Sequence, residues 1–105
     1  GLYLASGSFF GMRYDEQESG HARFFRISLA VEQVLDARTR WTAAEVVLTC
    51  GRGEENWENN QAMLAALRRA RVSVAFSAFA DGHTWVGWRD SLDPALTDLL
   101  AALWR

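Results

Sequence analysis

Residues 45–50, EVVLTC, are the part of this sequence that decides its fold. The run is short, rich in β-branched residues and followed by Gly51, a pattern that predicts a buried strand. An apolar run at residues 1–5, GLYLA, is closed by the turn-like SGS and predicts another buried strand before it. A third run at residues 72–79, VSVAFSAF, alternates in part and predicts a strand after it.

Helical patterns lie between and after these strands. Apolar residues recur at helical spacing from residue 22 to about residue 37, and again over residues 57–70. The last turn of the second helix contains Arg68 and Arg69, whose positive charges suit the helix dipole. Asp93 and Pro94 predict the N-cap and first position of a closing helix. One face of that helix holds Leu96, Leu99, Leu100 and Leu103. The polar, glycine-punctuated residues 9–20 predict a loop.

The alternation of strands and helices predicts an α/β domain with about three parallel strands and three helices. Parallel neighbours need crossover connections, and the helices supply them. Ligands of such sheets bind beyond the carboxyl ends of the strands. The loops SGSFF (6–10), GRGEEN (51–56) and DGHTW (81–85) follow the three strands, so we expect them to meet at one edge of the sheet.

Composition narrows the classes of function. The 105 residues suffice for one domain with one core. A net charge of −2 provides no general attraction to nucleic acid or to an acidic membrane, and no apolar run is long enough for a transmembrane helix. The single cysteine, Cys50, excludes an internal disulfide and fits a reducing compartment such as the cytoplasm. No metal-ligand spacing is present, so no cofactor is expected.

Two of the three loops contain a carboxylate and a histidine in a suggestive order. Glu54 and Glu55 follow the second strand, and His83 follows the third. An acid and then a histidine are the last two members of a Ser–Asp/Glu–His triad in α/β-hydrolases. There the acid orients the imidazole, which moves the serine proton. Gly82 is expected to allow a tight turn. A loop histidine and first-turn helix acids are the alternative interpretation.

Other polar and aromatic residues near these loops have simpler interpretations. Ser6 and Ser8 are typical turn formers rather than nucleophiles. Trp85 and Trp88 are expected to pack, although they also suit one wall of a pocket. Cys50 is expected to be an inert buried thiol at a strand end.

Three segments resemble, in the same order, segments of the enterochelin-esterase-like and esterase-D-like esterases of the α/β-hydrolase superfamily. Residues 80–92, ADGHTWVGWRDSL, resemble the family's C-terminal GGHDWxxWRxxL segment. Residues 2–10, LYLASGSFF, resemble its SQSGSFW segment, which lies downstream of the nucleophile. Residues 48–67, LTCGRGEENWENNQAMLAAL, resemble its acid-bearing CGxxExxxxxNxxLxxxL segment.

The resemblance implies a three-layer α/β-hydrolase-type fold and a role for several residues. It makes His83 the catalytic base and Glu54 the acid, with Glu55 as the alternative. It implies a substrate pocket that includes Ser6, Gly7, Ser8 and Trp85. The family's nucleophile lies in a G-x-S-x-G elbow, and no such motif occurs in this sequence. We therefore expect a C-terminal part whose serine lies upstream of Gly1, and which is inactive alone.

The activity implied is hydrolysis of a small-molecule carboxylic ester, with siderophore or related acyl esters as candidate substrates. An acyltransferase of the same fold is a close alternative. A non-enzymatic α/β interaction module is an alternative of another class, since an open parallel sheet edge invites pairing with another chain. Self-association through that edge is expected in each case.

Overall fold

The computed structural model describes residues 1–11, 15, 18–36, 40–42 and 45–105. Three strands and four helices follow one another along the chain. They are β1 (Leu2–Ala5), α1 (Phe24–Leu35), β2 (Val46–Gly51), α2 (Trp57–Arg69), β3 (Val74–Phe79), α3 (Trp85–Asp90) and α4 (Ala95–Leu103).

The strands form a parallel sheet in the order β1-β2-β3. Val46 lies between Leu2 of β1 and Val74 of β3, and this register continues along the strands. Every residue of β2 is buried, as its β-branched run predicts for the central strand of a covered sheet. The predicted α/β class with three parallel strands is thereby confirmed.

Apolar side chains cover both faces of the sheet. On one face, Val46 packs in a buried cluster with side chains from α1 and α2. That cluster comprises Val31, Val46, Met63 and Leu67. On the other face, Val47 packs against Ala95 and Leu99 of α4. Each fully buried aliphatic side chain stabilises the fold by roughly 1.5–3 kcal/mol, so these clusters hold β2 in place.

The prediction of three helices is wrong, because α3 is an additional helix between β3 and α4. It is six residues long and includes Gly87, which is a poor helix former. Its first turn is stabilised by Thr84, whose hydroxyl oxygen accepts a hydrogen bond from the Gly87 N–H at 3.0 Å. A side-chain cap and packing therefore outweigh propensity here.

The predicted start and face of the closing helix also need correction. The helix begins at Ala95 with Pro94 as N-cap, so Asp93 is not the cap; its carboxylate accepts a hydrogen bond from Thr97 Oγ1 at 2.9 Å. Of the four leucines on the predicted face, only Leu99 is buried. Leu100 is exposed and half of the predicted apolar stripe faces solvent.

The other predicted boundaries agree with the structure to within two residues where they are described. Helix α1 begins at Phe24, and the predicted end near residue 37 lies outside the described residues. Strand β1 is only half-buried, because it is an edge strand, and the prediction of a buried strand is wrong in that respect. The described residues of the segment 9–20 form neither strand nor α-helix.

None of the helices in the described ranges is long and apolar enough to cross a membrane.

Candidate active site

The loops that follow the three strands continue the contacts of the sheet beyond its carboxyl edge. The Ser6 N–H donates to the Thr49 carbonyl oxygen at 2.8 Å. The Arg52 N–H donates to the Phe79 carbonyl at 2.9 Å, and the Gly53 N–H to that of Asp81 at 3.2 Å. The loop after β1 is therefore attached to β2, and the loop after β2 is attached to the end of β3 and to the loop that follows it.

Gly51 permits the closest of these approaches. A Cβ atom at this position would lie 2.2 Å from the Asp81 carbonyl oxygen and 2.9 Å from Glu54 Oε1. No residue with a side chain fits there without movement of the backbone. The missing side chain lets the loop after β3 lie directly beside the loop that contains Glu54.

Glu54 is a buried carboxylate with three hydrogen-bond partners. Its Oε1 atom accepts from Ser6 Oγ at 2.5 Å and from the Gly51 N–H at 2.8 Å. Its Oε2 atom lies 2.7 Å from His83 Nδ1. The Glu54 side chain is fully buried, whereas 46% of the His83 side chain is exposed. The pair therefore joins a buried acid to a histidine that solvent can reach.

The ionisation of Glu54 follows from these contacts. Burial raises the pKa of Glu54, but the hydrogen bonds from Ser6, His83 and Gly51 outweigh burial, and the pKa lies below its ordinary value. An ionised carboxylate only accepts hydrogen bonds, so His83 Nδ1 must be the donor. The neutral imidazole then has an unprotonated Nε2, which has no hydrogen-bond partner among the described residues.

Trp88 contacts both ends of this arrangement. Its indole N–H donates to Ser6 Oγ at 2.9 Å. Its ring also meets the His83 ring edge-to-face, with centroids 4.6 Å apart and planes at 84°. Four side chains thus form a closed ring, from Trp88 through Ser6 and Glu54 to His83 and back to Trp88.

A pocket of about 500 Å³ opens beside His83. Its walls are mostly apolar, and they are formed by Ala5, Ser6, Ser8, His83, Trp85, Trp88, Arg89 and Leu92. An apolar cavity with a few polar groups at one end is typical of sites for small organic molecules. The described residues contain no group of three histidine, cysteine or acidic side chains able to hold a metal ion.

The residues predicted for the pocket do not all reach it. Ser6, Ser8 and Trp85 line it, but Gly7 does not. The Gly7 N–H donates to Asn60 Oδ1 at 3.1 Å, and its carbonyl accepts from the side-chain amides of Asn56 and Asn60. Gly7 therefore attaches the loop after β1 to the start of α2.

The two candidate acids differ clearly. Glu54 contacts His83, whereas Glu55 is exposed and has no hydrogen bond to His83. A tight turn is present at Gly82, whose carbonyl accepts a hydrogen bond from the Thr84 N–H at 2.9 Å. The turn does not require glycine, because no described glycine has a positive φ and a Cβ at Gly82 would meet no atom within 4 Å. The close approach instead requires Gly51.

The tryptophans also differ from one another. Trp85 is 82% exposed, so the prediction that it packs in the fold is wrong; its ring contacts Trp88 edge-to-face at 5.0 Å. Trp88 is partly buried and is the one that reaches Ser6. The sequence shows both tryptophans at i and i+3, but only the three-dimensional fold distinguishes them.

Cys50 lies at the end of β2, fully buried beside this site. Burial raises the pKa of its thiol to about 11, and the nearby Glu54 carboxylate adds to the rise. The thiol is therefore protonated at neutral pH, which fits the prediction of an inert residue.

Glu54 makes the stability of the fold depend on pH in the acid range. Its pKa is below the ordinary value of 4.5 in the folded protein, so the folded state binds fewer protons than the unfolded state. This stabilisation is present above pH 4.5 and is lost as the pH falls through the folded-state pKa. We expect the free energy of unfolding, measured by urea denaturation, to fall more steeply below pH 4.5 in the wild type than in Glu54→Gln.

The matched control for that experiment is Glu55→Gln, which changes an exposed neighbour. Its acid dependence should follow that of the wild type. Parallel curves for the wild type and Glu54→Gln would contradict the assigned ionisation of Glu54.

Comparison with known proteins adds no further constraint: no family model, no curated protein and no solved structure gives a significant match to the chain.

Proposed function

We propose that this chain is the C-terminal part of a serine esterase of the α/β-hydrolase superfamily, with Glu54 as the acid and His83 as the base. The observation that supports this most directly is the 2.7 Å contact between Glu54 Oε2 and His83 Nδ1. In the neutral imidazole, that contact makes Nε2 the unprotonated nitrogen, and His83 lines a mostly apolar pocket. The three sequence segments that resemble the esterases supply the second line of support.

In the proposed reaction, His83 Nε2 takes the proton of a serine hydroxyl while the serine oxygen attacks the ester carbonyl carbon. Glu54 stabilises the resulting imidazolium through Nδ1–H. The imidazolium then returns the proton to the departing alkoxide as the C–O bond breaks, leaving an acyl-enzyme. Water, deprotonated by the same nitrogen, attacks the acyl group, and the serine leaves with the proton.

The nucleophilic serine is proposed to lie in polypeptide that precedes Gly1. Ser6 is a poor candidate, because its hydroxyl group donates to Glu54 and the residue is only 4% exposed. Ser8 lines the pocket, but neither it nor Ser6 has a hydrogen bond to His83 among the described residues. The sequence also has no G-x-S-x-G motif, which in this superfamily places the nucleophilic serine on a sharp strand-to-helix turn.

The pocket supports an ester with an apolar acyl or alcohol group as substrate. Trp85, Trp88 and Leu92 are among its apolar lining residues, and Arg89 lies at the same pocket. We propose small-molecule acyl esters, siderophore esters among them, as the class to test. An acyltransferase would use the same acyl-enzyme with an acceptor other than water.

Labelling with a fluorophosphonate ester tests the proposal, because this probe forms an adduct only with an activated serine. We expect no adduct on the 105-residue chain and one adduct on the polypeptide that includes the segment before Gly1. The intact mass of each polypeptide, measured before and after exposure to the probe, gives the number of adducts. Absence of an adduct on the longer polypeptide would contradict the esterase.

The second candidate function, a non-enzymatic interaction module, is favoured by one observation. Within the described ranges, strand β1 is an edge strand that pairs with β2 alone, which leaves its other edge available to another strand. The labelling experiment separates the two candidates, since a module yields no adduct in any length of polypeptide.

A further inference from the structure

We propose that Ser6 and Trp88 are positioning residues that hold Glu54 so that His83 keeps its proton on Nδ1. Any effect of Ser6 and Trp88 on catalysis rests on the proposed function. The positioning itself is a property of the 105-residue chain and does not depend on a nucleophile.

The direction of the Ser6 hydroxyl proton follows from the chemistry of its two partners. An indole N–H can only donate, so Ser6 Oγ must be the acceptor of the 2.9 Å bond from Trp88. The hydroxyl has a single proton, and Glu54 Oε1 lies 2.5 Å away on its other side. The Trp88 bond occupies one lone pair of Ser6 Oγ, and the hydroxyl proton is donated to Glu54 Oε1.

The orientation of the Glu54 carboxylate follows in turn. Oε1 receives two hydrogen bonds, from Ser6 and from the Gly51 N–H, and Oε2 is left facing His83 Nδ1. The Glu54 side chain is fully buried and Ser6 is only 4% exposed, so these hydrogen bonds are largely shielded from solvent. Hydrogen bonds to an ionised group in a dry site are stronger than neutral ones.

Trp88 also restricts His83 directly. The edge-to-face contact at 4.6 Å limits rotation of the imidazole away from Glu54. Helix α3, which the sequence does not obviously predict, is what brings Trp88 to this point. The helix therefore has a function at the site beyond covering the sheet.

The imidazole ¹⁵N chemical shifts of His83 test the proposal in the ¹⁵N-labelled chain at alkaline pH, where the ring is neutral. The wild type is expected to show a protonated Nδ1 and an unprotonated Nε2. In Ser6→Ala both shifts should move toward the average of the two tautomers, because Glu54 loses one of the two donors that orient it. Trp88→Phe keeps the aromatic ring, loses the indole N–H and should move the shifts in the same direction.

Two further variants serve as a matched control and as a second way to remove the Ser6 hydroxyl. Trp104→Phe makes the same chemical change at an exposed residue that does not line the pocket, and should leave the His83 shifts unchanged. Ser6 has a φ of 47°, a conformation that glycine adopts readily, so Ser6→Gly removes the hydroxyl even where Ser6→Ala is too unstable to measure.

The outcomes separate this inference from the proposed function. Wild-type shifts in Ser6→Ala, Ser6→Gly and Trp88→Phe would overturn it, whatever their stability, since a merely structural role leaves the tautomer unchanged. If the shifts respond but the longer polypeptide hydrolyses no ester, the positioning holds and the esterase proposal fails. If both hold, Ser6→Gly should lower kcat about 10- to 100-fold, as loss of outer-shell hydrogen bonds does elsewhere.

Discussion

On the proposed mechanism, replacing His83 with alanine in a polypeptide that includes the proposed nucleophile segment is expected to lower kcat for ester hydrolysis about 10⁶-fold. Without Nε2 no group accepts the serine proton during attack, and none returns a proton to the leaving alkoxide. Glu54 then has no partner on Oε2 but keeps its donors Ser6 and Gly51, so the fold is retained. Initial rates on a chromogenic ester, with circular dichroism of the same samples, measure both effects.

The matched control is His21→Ala. His21 is the other histidine of the chain, is exposed, and has no hydrogen bond to any residue of the site. Its turnover should equal that of the wild type. Wild-type turnover in the His83 variant would remove His83 from the mechanism, and equal losses in both variants would indicate a general effect on folding.

Replacing Gly51 with alanine is expected to destabilise the chain by about 3 kcal/mol, as overpacking of a dense interior does. The new methyl group would lie 2.2 Å from the Asp81 carbonyl oxygen, and backbone rather than a flexible side chain must move to admit it. It would also lie 2.9 Å from Glu54 Oε1 and compete with the hydrogen bonds that hold the carboxylate. Urea denaturation followed by tryptophan fluorescence measures the change.

Gly82→Ala is the control for that experiment, because it adds the same methyl group beside His83. A Cβ at Gly82 meets no atom within 4 Å and its φ is not positive, so its stability should equal or slightly exceed that of the wild type. Equal stabilities for Gly51→Ala and Gly82→Ala would show that the loops after β2 and β3 lie further apart than described.

Local patterns of apolar residues predict most of the fold, because they indicate which side chains are buried. The β-branched run corresponds to β2, which is buried on both faces. The helical stripe corresponds to α2, which buries one face against the core. Helix α3 is not predicted, since a six-residue segment that contains Gly87 has little helical signal of its own. Its cap at Thr84 is the one local clue.

The site is predictable only in part. Glu54 and His83 follow neighbouring parallel strands, and this order indicates that the two residues meet. The sequence of the loop after β2 does not distinguish Glu54 from Glu55 as the partner of His83. The hydrogen bond between Trp88 and Ser6 joins residues 82 positions apart, and no local pattern predicts it. The need for glycine at residue 51 likewise depends on the backbone of a different loop.

Mapping the serine that reacts with a fluorophosphonate ester tests whether His83 activates a serine outside residues 1–105. A polypeptide that includes the proposed nucleophile segment before Gly1 is exposed to the probe, digested and analysed by tandem mass spectrometry, alongside its His83→Ala variant. We expect one labelled serine outside residues 1–105 in the wild type and none in the variant. A label on Ser6 or Ser8, or equal labelling with and without His83, would contradict the role proposed for His83.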